Sequence, residues 1–324
     1  MFGFVATASL LVWAVFGPTP FYVIAVCAAI LLALALVSYL FRWLLVLVLP
    51  WQLSQTFAKA PLTAIFGIII ILIFAASAIF APFLAPFGEA DIVSASFAPP
   101  DAQMLLGADQ LGRDVLSRII FGARNSVGLA LIATILAFSV GSLTGLLAAT
   151  YGGWLDQILS RIADTIMSVP SLIFSLLMLS IFGTDLSVIV IVVAVIYSPR
   201  VYRLTRAVAG NVVVMDYIEA AKLRGEGTWY LIRREILPNA LAPLIAEFGL
   251  EFCFVFLLIA GLSFLGLGVQ PPTADWGSMV RENATLISFG DYTPLIPAGA
   301  IALLTVAVNF VIDWILHRSS GLKD

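Results

Sequence analysis

The sequence predicts an all-α polytopic membrane protein, and three observations carry that expectation. Hydrophobic residues make up 62% of the 324-residue chain and charged residues only 11%, whereas a soluble domain carries roughly 25% charged residues. The mean hydropathy is +1.10, so lipid is the solvent for most of the surface. Apolar runs long enough to cross a ~30 Å hydrocarbon core at ~1.5 Å per residue recur along the chain. Backbone groups in lipid must bond internally, so runs of this length read as helices.

The chain opens with apolar residues 4–16, the breaker Gly17-Pro18-Thr19-Pro20 and a longer run over 21–41. A secretory signal needs a basic n-region, but the first Lys or Arg is Arg42. The expectation is a membrane hairpin turning at Gly17–Pro20 and returning near Arg42; the alternative is that residues 1–16 lie in the interface and only 21–41 spans. Residues 1–58 are thus an N-terminal hydrophobic extension and 59–324 the core. Core spans are expected over 62–85, 127–150, 158–182, 186–206, 240–268 and 293–316.

Basic residues set the direction. If 62–85 leaves the cytoplasm, Arg42, Lys59, Arg161, Arg200, Arg203, Arg206, Lys222, Arg224, Arg233, Arg234, Arg318 and Lys323 fall inside or at the inner boundary. Only Arg113, Arg118, Arg124 and Arg281 fall outside. Two long outer segments, 86–126 and 269–292, follow from that topology.

Several function classes are excluded. None of the three lysines (Lys59, Lys222, Lys323) follows a glycine, so no Gly-Lys-Ser/Thr phosphate loop exists. There is no HExxH pair or GxSxG elbow. One histidine and two cysteines, Cys27 and Cys253, cannot supply a Cys/His metal site. A net charge of −3 gives no reason to expect a nucleic-acid partner. Energy for any transport must come from a partner or an ion gradient.

The most informative cytoplasmic stretch, within a loop over about 207–239, is DYIEAAKLRGEGTWYLIRREILPNALAP at 216–243. Asp216 and Glu219 have capping-box spacing for a helix opening at Tyr217. Gly225 suits a left-handed C-terminal cap. Thr228 can cap a second short helix ending near Leu237, ahead of Pro238. Ala220 and Ala221 are small enough to let another backbone approach. On residues alone, an amphipathic loop on anionic lipid is equally open.

The pattern Glu219-Ala220-Ala221, Gly225, Ile236-Leu237-Pro238 resembles the EAA loop of permease subunits of bacterial ABC importers. Leu106-Gly107-Ala108-Asp109-Gln110-Leu111-Gly112-Arg113-Asp114-Val115-Leu116-Ser117-Arg118 and Leu262-Ser263-Phe264-Leu265-Gly266-Leu267-Gly268, with Gln270-Pro271-Pro272 and Trp276-Gly277, resemble outer segments of the same family. In order over about residues 60–318, these resemble the C-type permease of dipeptide, oligopeptide and nickel importers. Ile259 stands where many relatives carry a Glu, so no role for that acid carries over.

The resemblance implies a six-helix type I ABC importer permease core in the bacterial cytoplasmic (inner) membrane. Implied partners are a second permease subunit, two cytoplasmic ATPase subunits, an extracytoplasmic solute-binding protein and the lipid bilayer. No cofactor is expected on this chain; ATP and Mg would be used by the ATPases. Glu219, Ala220, Ala221, Gly225, Ile236, Leu237 and Pro238 are the expected ATPase-coupling residues, and Arg113, Asp114 and Arg118 candidates for docking the binding protein. Glu251, Asp313, Asn309 and Asp164, polar groups inside spans, are candidates for the translocation path or for fixing helix packing through Arg161, Arg200 or Arg203. Gly141 and Gly145 have GxxxG spacing, and Pro170 and Pro199 can kink their helices. Two alternatives stay open: a proton-coupled secondary transporter using Glu251 or Asp313, or a membrane assembly factor.

Overall fold

The computed structural model describes residues 19–319. Regular structure among the described residues is helical, joined by loops of which 85–114 is the longest, and β pairing is confined to two isolated bridges, Ile92 with Arg113 and Ala108 with Asp114. The hairpin expectation falls largely on residues 1–18, outside the described residues. The helix after it, α1 (Thr19–Val48), continues past Arg42 and stops before Pro50, which opens α2 (Trp51–Ala58).

Two compact units divide at Ile69/Ile70, inside α3 (Leu62–Leu84). In the first, Arg42 donates to the Ala60 carbonyl at 3.3 Å, which ties the end of α1 to the turn after α2.

In the second unit, α4 (Val115–Gly122), a π-helical segment (Ala123–Val127) and α5 (Gly128–Tyr151) form one continuous span. That span begins twelve residues earlier than the apolar run at 127 suggests, because polar Ser117, Arg118 and Ser126 are buried against protein.

The expected span 158–182 is broken. Instead α6 (Gly153–Met167) and α7 (Ser171–Phe182) meet at 86°. Pro170 has no N–H and disfavours helical geometry at Val169, so the helix stops there. By contrast α8 (Leu186–Val213) runs through Pro199 unbroken.

After α9 (Asp216–Leu223), the short helix α10 (Thr228–Tyr230), a π segment (Leu231–Ile236) and α11 (Leu237–Phe264) form another continuous span. The second short helix therefore does not end at Leu237. An α-helical Pro238 would clash with the carbonyl four residues back; the wider π turn just before it, with Leu237 N–H reaching Ile232 O, accommodates the ring. The outer helix α12 (Trp276–Asn283) and the inward-running α13 (Leu295–Ser319) complete the unit.

Close packing of α5 on α8 follows from glycine. A Cβ on Gly145 would lie 2.8 Å from both Thr205 Cβ and Tyr202 O, so the GxxxG spacing serves helix approach. The outer core centres on Trp276, fully buried, edge-on to Phe74 at 5.1 Å and to Phe256 at 6.1 Å, with its indole N–H on Ile119 O at 3.0 Å.

Candidate functional site

The cytoplasmic loop is built as a short helix pinned on one side. Ile218 and Ala221 of α9 pack with Leu231, Ile232 and Ile236 of the π segment against Leu146 and Ala209 of α5 and α8. Ala221 and Ile236 are 0% exposed, so Ala221 faces its own protein and is not open to another backbone. Ala220, Glu219 and Pro238 are exposed, and Leu237 is half-buried. Exposed Val214 and Leu223 flank them, the latter at 84%.

The helix ends differ in how well sequence foresaw them. Gly225 has φ +83°, its N–H bonds Lys222 O at 2.9 Å and the Glu226 N–H bonds Ala221 O at 3.2 Å. This is a Schellman cap, as the glycine suggested. The capping box does not form: Met215 is the N-cap, and Asp216 already lies inside the helix. Thr228 likewise sits inside its helix, behind Gly227. Asp216 and Glu219 still favour the positive N-terminal end of α9.

On the outer side the expected docking residues are buried. Arg113, Asp114 and Arg118 are 2%, 1% and 1% exposed, so a binding protein has almost no surface of theirs to touch. Asp114 caps α4 through Ser117 N–H at 2.8 Å. Arg113 pairs with Asp109 at 2.7 Å and Glu282 at 2.9 Å, and Arg118 reaches the same carboxylates at 3.4 and 3.3 Å. Charges this deep require partners, and the network closes segment 86–114 onto α12. Glu89, which sequence reasoning passed over, joins it through its carbonyl, which accepts from Arg118 at 3.2 Å, while its carboxylate accepts from Asn125 at 3.0 Å and Ala274 N–H at 2.8 Å. No short-range spacing links Glu89 or Glu282 to their partners.

Inside the spans, the arginines of α8 meet acids from neighbouring helices. Arg203 pairs with Asp164, Arg206 with Asp156, and Tyr202 OH lies 2.9 Å from Ser160 Oγ. Ser160, Asp164, Tyr202, Arg203 and Arg206 line a cavity of about 350 Å³. Glu251 is fully buried, with Arg200 Nε at 3.7 Å. It therefore lines no open path in this structure: a buried carboxyl group sits beside a cation. Asn309 donates to Thr305 O at 2.9 Å within α13 and to Cys253 Sγ of α11 at 3.6 Å, and Asp313 is exposed on the same helix.

Comparison with known proteins matches residues 141–320 to the family described as "binding-protein-dependent transport system inner membrane component". The chain is 36% identical over 282 residues to a dipeptide transport system permease protein of Haemophilus influenzae, covering 85% of this chain and 93% of that protein. It is also 36% identical over 268 residues to a di/tripeptide transport system permease protein of Pseudomonas aeruginosa, covering 81% and 86%. Among solved structures, an inward-facing MetNI methionine ABC transporter chain superposes with a TM-score of 0.52 at 17% identity, over 63% of this chain and 95% of that one. That last likeness concerns the fold.

Proposed function

The chain belongs to the family of binding-protein-dependent transport system inner membrane components, and from that premise we propose that it conducts short peptides through an importer powered by separate ATPases. It is a multi-span inner-membrane permease component and carries no ATPase loop of its own. Family membership decides against the proton-coupled and assembly-factor alternatives. The dipeptide and di/tripeptide systems of its relatives favour peptide cargo.

In this reading two ATPase subunits bind the cytoplasmic loop, a second permease completes the path, and a solute-binding protein delivers cargo outside. ATP and Mg belong to the ATPases. The carrying observation is the two-faced α9: Ile218 and Ala221 lock it to the inner ends of α5 and α8, while Glu219, Ala220 and Leu223 stand exposed beyond the spans. Exposed apolar side chains on a loop outside the lipid suit a protein partner. A push on α9 would pass directly to α5, α8 and, through the π segment, α11. Coupling then requires that the docked loop favour different core states with and without ATP.

The test uses Glu219→Lys and Gly225→Val in the assembled complex. No atom lies within 4 Å of a Cβ at Gly225, so the valine acts through the φ of the cap alone. Both variants are expected to lose uptake and binding-protein-stimulated ATP hydrolysis. Wild-type values for both activities in both variants would sink the coupling role.

A further inference from the structure

Arg200 sits near the middle of α8, a 28-residue helix running Leu186–Val213, about 20 Å from either end at ~1.5 Å per residue. Its side chain is 45% exposed. A guanidinium facing hydrocarbon is costly, so its open side meets water or polar groups rather than lipid tails; a water-filled path through the permease supplies such surroundings.

Its surroundings separate it from the two arginines below it on α8. Arg203 and Arg206 donate hydrogen bonds to Asp164 and Asp156. Arg200 makes no hydrogen bond to any described residue. Its nearest acid, Glu251, is 0% exposed and lies 3.7 Å from Nε, with neither carboxyl oxygen hydrogen-bonded among the described residues; half-buried Glu247, one turn earlier on α11, is a second acid near it. The guanidinium carbon rests 4.1 Å over the Phe254 ring. Phe254 is itself 41% exposed, and its carbonyl accepts from Tyr197 OH at 3.1 Å. A planar cation thus has a buried carboxyl group beside it and an exposed aromatic ring at its flank, with its donors unspent.

The geometry points to Arg200 as a solute-contacting group that binds the carboxylate of a passing peptide, with Glu251 as a positioning residue and Phe254 as the apolar surface beside it. A guanidinium fork matches a carboxylate bidentately, and every unblocked peptide ends in one. The assignment rests on the peptide reading above and names the group in the path that recognises that class of solute.

The experiment uses the assembled complex in proteoliposomes, with L-Ala-L-Ala as the transported probe. Arg200→Gln is expected to lower uptake per ATP hydrolysed at least tenfold, Arg200→Lys to recover part of it, and Glu251→Gln to raise the apparent KM for uptake. In parallel, Cys27 and Cys253 are replaced by alanine and Arg200→Cys is introduced. A membrane-impermeant sulfonate thiosulfonate should label this subunit, read as a mass shift, in at least one of the nucleotide-free and nucleotide-trapped states. Unchanged uptake per ATP in Arg200→Gln, or no labelling in either state, overturns the proposal and leaves the peptide reading standing. Failure of Arg200→Gln to assemble with the second permease also overturns it, because the exposed face is then a subunit contact. A wild-type complex that hydrolyses ATP but takes up no L-Ala-L-Ala overturns the peptide reading and this assignment with it.

Discussion

Arg118 and Glu282 lie 164 positions apart in the chain and pair at 3.3 Å, both almost fully buried on the outer side. Glu282 also takes Arg113 at 2.9 Å, so one carboxylate answers two guanidiniums. Removing it with Glu282→Ala leaves buried cations short of a partner, a change that costs about 3–5 kcal/mol. Thermal unfolding of the purified complex in detergent should show the loss; an unaltered Tm would mean the network is not what holds segment 86–114 on α12.

The ion pair Arg203–Asp164 provides the contrast. Both side chains are about half exposed, at 51% and 53%, and exposed pairs contribute at most about 1 kcal/mol. Asp164→Asn is expected to leave the Tm nearly unchanged in the same assay, and a double-mutant cycle with Arg203→Gln should give a coupling energy within that bound.

Neighbouring alanines of the cytoplasmic loop should behave oppositely. Ala221 is enclosed by Leu146, Ala209 and Leu231, whereas Ala220 is exposed. Ala221→Arg buries an unpartnered charge and should reduce folded yield severely. Ala220→Arg should leave yield intact while lowering binding-protein-stimulated ATP hydrolysis in the complex. Equal yields for the two would contradict the orientation of α9.

Trp276 fills the outer core between Phe74 and Phe256. Trp276→Ala is expected to cost about 3–5 kcal/mol, read as a lower midpoint of denaturant unfolding. Gly145→Leu should cost about 1–3 kcal/mol by forcing α5 away from α8, since even a Cβ meets Thr205 and Tyr202 at 2.8 Å.

Most spans were readable because lipid imposes a local rule, about 20 apolar residues in a row, helical throughout; the run 158–182, bent by 86°, and the early start at Val115 were not. The Gly225 cap was equally local, as φ +83° asks for glycine. Where a neighbour had a vote, sequence reasoning went astray. Thr228 and Asp216 had the right chemistry for caps, but the chain entered its helices one residue earlier, at Gly227 and Met215. Pro238 looked like a terminator, and a π turn absorbed it.

The chain's amino acids alone determined that it lives in lipid and where most of its spans fall. Only the tertiary structure decided what each sparse charge does. Arg113, Arg118 and Arg200 are identical in chemistry, yet two are sealed under the outer loops and the third stands half open on α8. That difference depends on the acids around them, nearby Asp109 and distant Glu282 for the first two and distant Glu251 for the third. Burial of a charge is a property of the pair and its surroundings, and no local pattern encodes it.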